Sequence, residues 1–175
     1  LPAAAATLLA AAVVFGWARA LAPVALAGGG LDEPVAAAVG GVLLPAYGAA
    51  TVGYAPGATA LACLPVALLA FASLLAVRGA GSGSTPVGGR TLAARLSPEC
   101  LRTLYLAGAS AAFLLLAVLW RAGLPGVVAA AGLPAVPLTA WAAVRYLRRR
   151  DPRPGVAAAV AFAVCQLLGW VALAT

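Results

Sequence analysis

No lysine, histidine, asparagine, isoleucine or methionine occurs in these 175 residues, and only Asp32, Glu33, Glu99 and Asp151 are acidic. Each absence excludes something. Without lysine there is no Schiff-base amine, and without histidine the commonest acid–base group and metal ligand are gone. Cys63, Cys100 and Cys165 lie far apart with no CxxC spacing, so neither a disulfide framework nor a metal site is expected. The Gly-rich stretch Gly79–Ser84 is not followed by Gly-Lys-Ser/Thr and is not a P-loop. Serine and threonine have no base beside them, and no residue is assigned a catalytic role. Histidine apart, the missing types have AT-rich codons, which reads as a GC-rich genome. A chain with no methionine that opens Leu1-Pro2 is expected to be a fragment or a trimmed product.

Charge is scarce as well, at 9% of residues against a hydrophobic fraction of 65% and a mean hydropathy of +1.07. A soluble domain carries about 25% charged residues. Too little polar surface is present to cover a water-soluble globule, so the chain reads as an integral, multi-pass membrane protein whose first partner is the lipid bilayer. The pI near 10.4 comes from eleven arginines. They lack the aromatic interleaving of a nucleic-acid surface, so no nucleic-acid partner is expected. They fit loops on the cytoplasmic side of a membrane.

Six apolar runs are expected to be spans, over about residues 3–27, 34–54, 58–77, 99–120, 126–147 and 155–174. Together they make residues 1–175 a single all-α polytopic transmembrane bundle. Gly28-Gly29-Gly30 ends the first run, and Asp32, Glu33 and Pro34 lead into the second, so no carboxylate is placed inside a span. Pro45, Pro65, Pro134 and Pro137 fall inside the runs, where neighbouring helices can satisfy the freed carbonyls. Tyr54–Gly57 and Gly123–Gly126 read as turns. Ser97-Pro98-Glu99 has the order of a helix start: N-cap, proline at the first position, then a carboxylate at the positive dipole end. The Arg-rich segments 78–102 and 145–153 are two spans apart and so share a side, with Arg19, while Arg121 falls opposite. The positive-inside rule puts the shared side, including loop 78–98, in the cytoplasm of a prokaryotic cell bounded by this plasma membrane.

The polar loop 78–98 carries the most specific phrase, Gly88-Gly89-Arg90-Thr91-Leu92-Ala93-Ala94-Arg95-Leu96. Gly79 to Gly83 is expected to be flexible, and Arg90 to Leu96 to be a short helix with Leu92 and Leu96 on one side. Arginine forks match phosphate oxygens, so Arg78, Arg90 and Arg95, with Arg102 nearby, are candidates for a diphosphate. The competing reading is topology and anionic-lipid contact.

This phrase, the preceding Leu64-Pro-Val-Ala-Leu-Leu run and Tyr105 resemble the second half of the UbiA superfamily of membrane prenyltransferases. The likeness is to the menaquinone type, which acts on dihydroxynaphthoate and typically reads Gly-Lys-Arg-Thr-Leu-Ala-Val-Arg-Leu-Gly here. Gly89 stands for its Lys, Ala94 for its Val and Ser97 for its last Gly. The resemblance implies a nine-helix fold of which these are the last six, a missing N-terminal half, a polyprenyl diphosphate as substrate and Mg²⁺ as cofactor. It also implies two aspartates ahead of the phrase, at positions that hold Ala80 and Ser84. Mg²⁺ takes hard oxygen ligands, so the chain is expected to be an incomplete or catalytically degenerate relative of these enzymes. The alternative is a non-enzymatic membrane subunit or small transporter-like protein, which the proline-broken helices would suit.

Overall fold

The computed structural model describes residues 2–20, 30–81 and 92–174, and every regular element among them is helical. α1 is Ala3–Ala20. The second span joins α2 (Asp32–Ala38), a π turn over Val39–Leu43 and α3 (Leu44–Thr51). α4 is Pro56–Gly81, α5 the short Leu92–Arg95 and α6 Pro98–Arg121. The fifth span is α7 (Gly126–Ala131) followed by α8 (Ala135–Arg149), and α9 is Arg153–Ala174. Five of these are long and apolar enough to cross a membrane: Asp32–Thr51, Pro56–Ala80, Pro98–Arg121, Gly126–Arg149 and Arg153–Leu173. The expected first span is helical over Ala3–Ala20, and its expected end, 21–27, lies outside the described residues.

The prolines are accommodated in three ways. Pro45 has no N–H to offer the preceding turn. The π turn ahead of it widens the helix so that the Leu44 N–H reaches Val39 O, and the span continues. Pro65 lies buried inside α4 with the helix unbroken. Gly132 and Pro134 do break the fifth span, where short bonds such as Ala135 N–H to Gly132 O replace the α pattern. Gly53 (φ 82°) and Gly123 (φ 110°) close the turns after α3 and α6. Their left-handed backbone lets the Tyr54 N–H reach Ala49 O and the Leu124 N–H reach Leu119 O, satisfying last-turn carbonyls.

α4 is the central helix. Within its spanning window 44% of residues are buried, against 22–28% for the other four spans. α2, the π turn and α3 pack on one flank of it, α6 and α9 on others, and α1 leans against the second span. Small residues permit this: a Cβ on Gly41 would meet Ala67 at 2.7 Å, and one on Gly108 would meet Ala72 at 3.0 Å. Leu69, Ala109, Ala112, Leu116, Ala135 and Phe162 fill the middle of the bundle. Leu114, Val160, Leu167 and Leu168 point outward, as a lipid-facing surface requires.

Two expectations are corrected, and a third is borne out over its described residues. Asp32 and Glu33 belong to the first helical turn of the second span and are buried, not part of a connector. They lie in the first turn of a helix, where the peptide dipoles favour negative charge. α4 runs on to Gly81, so Gly79 and Ala80 are helical and not the start of a flexible loop. The short helix expected over Arg90–Leu96 is seen over Leu92–Arg95; Leu92 and Leu96 both pack against buried Leu75, Ala93 and Leu101, which is the shared side their spacing implied.

Candidate functional site at the Arg-rich end

The second span, α4, α6 and α8 bring one end of the bundle together around two polar arrangements. In the first, Asp32 accepts from Arg19 Nε on one oxygen and from Arg78 Nη2 on the other, each at 2.5 Å. The carboxylate side chain is 6% exposed, and the two arginines are 35% and 40% exposed. Asp32 therefore ties the end of α1 and the end of α4 to the start of the second span. Glu33 is 1% exposed. One of its oxygens lies 3.4 Å from the Leu92 N–H, a long contact, and the other has no partner among the described residues.

The second arrangement is a cavity of about 160 Å³. α4 contributes Gly79 and Ala80, and the segment around α5 contributes Ala93, Ala94 and Leu96. The start of α6 contributes Pro98, Leu101 and Arg102, and the end of α8 contributes Tyr146 and Arg150. α6 begins as its sequence implies: the Cys100 N–H bonds Ser97 Oγ at 3.2 Å, and Pro98 takes the first turn. Arg150 ends α8 with φ 54°, the one described non-glycine residue in the left-handed region. Tyr105 packs against Tyr146 with ring centroids 5.0 Å apart and planes tilted by 51°, and Ser73 Oγ donates to Gly155 O at 3.1 Å.

Of the sequence candidates, Arg78 is engaged by Asp32, and Arg90 lies outside the described residues. Arg95 is exposed at the end of α5. Ala80 lines the cavity, while Ser84 lies outside the described residues. Arg150 and Tyr146 were missed. Their helix ends on the same side as loop 78–98, so the charge pattern could have suggested them. The Asp32 clamp was legible in principle too, since Arg19, Asp32 and Arg78 all fall on that side.

The resemblance implies Mg²⁺, but this donor set does not fit it. Mg²⁺ needs several hard oxygens, usually including carboxylates. Among the described residues the cavity offers two guanidiniums, a phenol and apolar walls, with a methyl group at Ala80. Asp32 is taken up by two arginines, and no group of three or more His, Cys, Asp or Glu side chains suited to a metal occurs among the described residues. A second cavity, of about 410 Å³, lies at the opposite end between Tyr54, Leu61, Leu119, Leu124 and Trp170. The packed layer around Phe162 stands between the two. No protein-family model, no curated protein and no solved structure matches this chain.

Proposed function

We propose that this chain is a UbiA-related membrane protein that binds the head of a polyprenyl diphosphate at its Arg-rich end and does not carry out Mg²⁺-dependent prenyl transfer. One observation carries the reading. Residues of the resembling phrase (Ala93, Ala94 and Leu96), the position of a family aspartate (Ala80) and two arginines meet in the walls of a single cavity. An apolar bundle beside a cationic end suits a lipid with an anionic head. Ionising an allylic diphosphate needs charge neutralised on the leaving group, for which the family uses Mg²⁺ held by carboxylates. A site with arginines but no such carboxylates can hold the ligand without that step.

The Arg-rich end is cytoplasmic in this reading, and the membrane is a prokaryotic plasma membrane. The test compares two ligands on the purified chain in nanodiscs. A polyprenyl diphosphate should bind at least about tenfold more tightly than the matching polyprenol, a difference of about 1.4 kcal/mol. Equal affinity for the two, or binding of neither, would sink the reading. Prenyl transfer to dihydroxynaphthoate in Mg²⁺ by the unmodified chain would overturn its second half.

A further inference from the structure

We propose that the cavity at the Arg-rich end holds a phosphate-type oxyanion directly on Arg102 and Arg150, with no divalent cation between them. The inference rests on the preceding reading for where a lipid head lies and adds how that head is held.

Four observations support it. Among the described residues, the charged groups lining the cavity are both guanidiniums, and no carboxylate lines it. Arg102 Nε is buried without a hydrogen-bond partner among the described residues, a costly state for a charged donor unless an acceptor arrives. Neither arginine joins an ion pair among those residues, whereas Arg78 nearby is paired with Asp32, which it shares with Arg19. Pro98 and Leu101 bring to the wall the first turn of a 24-residue helix, whose dipole adds partial positive charge.

The chemistry then selects the ligand. A guanidinium presents a planar fork of N–H groups that matches two oxygens of one phosphate. A volume of about 160 Å³, close to that of an engineered protein cavity that takes in benzene, leaves room for one phosphate or a diphosphate. A divalent cation placed there would face two positive side chains and no anionic ligand among the described residues. Arg150 also keeps its side chain at the cavity from a left-handed backbone that glycine would hold with less strain. Strain retained in that way is common where a side chain has work to do.

The test uses the full chain in phosphatidylcholine nanodiscs, with binding measured in excess EDTA and again in Mg²⁺. The probes are inorganic diphosphate, a polyprenyl diphosphate and phosphatidic acid. Inorganic and polyprenyl diphosphate should bind in EDTA with a Kd within about twofold of that in Mg²⁺. Arg102→Gln and Arg150→Gln should each raise Kd about tenfold, and Arg148→Gln should leave it within about twofold. Because Arg150 is exposed at a helix end, Arg150→Gln decides the matter even if Arg102→Gln does not fold. Binding abolished by EDTA, or unchanged in Arg150→Gln, would overturn the proposal. A polyprenyl diphosphate that binds only with Mg²⁺ would leave the isoprenoid reading standing and remove this one. Equal, metal-free binding of phosphatidic acid and polyprenyl diphosphate would do the reverse, keeping the oxyanion site and removing the isoprenoid.

Discussion

Replacing Asp32 with Asn is expected to be the most damaging single change at the Arg-rich end. The substitution keeps the shape of the side chain and removes the charge that holds Arg19 and Arg78. Breaking a fully buried ion pair costs about 3–5 kcal/mol, whereas an exposed pair contributes about 0–1 kcal/mol. Here the carboxylate is buried at 6% exposure while the arginines are 35% and 40% exposed and can turn toward water. The expected cost lies between those limits, at about 2 kcal/mol. For a chain of this length that corresponds to a fall of about 4–8 °C in melting temperature. The assay is tryptophan-fluorescence melting of the purified protein in one detergent, with exposed Glu99→Gln as the control. A triple variant with Arg19→Gln and Arg78→Gln added to Asp32→Asn should recover part of the loss, since no uncompensated charge remains. A fall of less than about 1 °C for Asp32→Asn would refute the reasoning, as would a triple variant less stable than the single one.

Four further outcomes are expected. Arg150→Gly should relieve left-handed strain and stabilise by about 1 kcal/mol, a rise of about 2–4 °C in the same melting assay, even as it weakens oxyanion binding. Gly41→Ala should destabilise by about 1–3 kcal/mol because its Cβ would meet Ala67 at 2.7 Å; Gly48→Ala, with open space around it, should be neutral or slightly stabilising. Gln166→Leu should stabilise by about 1 kcal/mol, since the native amide nitrogen is buried with no partner among the described residues. In a version without native cysteines, single cysteines at positions 83 and 153 should be labelled from one face of the membrane and a cysteine at 123 from the other. Labelling of 83 and 153 from opposite faces would break the proposed topology.

Membrane residence and the all-α class were already fixed by composition, because so few polar side chains cannot cover a water-facing surface and a lipid-facing backbone must bond to itself. Span positions followed from unbroken apolar runs, and the start of α6 from Ser97-Pro98-Glu99. These are local properties, written in consecutive residues. The sharing of one end by the two Arg-rich segments was also legible, because alternating spans leave no other arrangement. Tertiary structure decided the rest. Asp32 and Glu33 looked like connector residues until the ends of α1 and α4 closed over them. Arg78 looked available until Asp32 took it. Ala80 comes from α4, Arg102 from α6, and Tyr146 and Arg150 from the end of α8, and only the packing of these helices makes them walls of one cavity. Sequence fixes which residues a helix carries, but the side chain that neutralises an arginine, or the space left between helix ends, depends on distances that chain order does not encode.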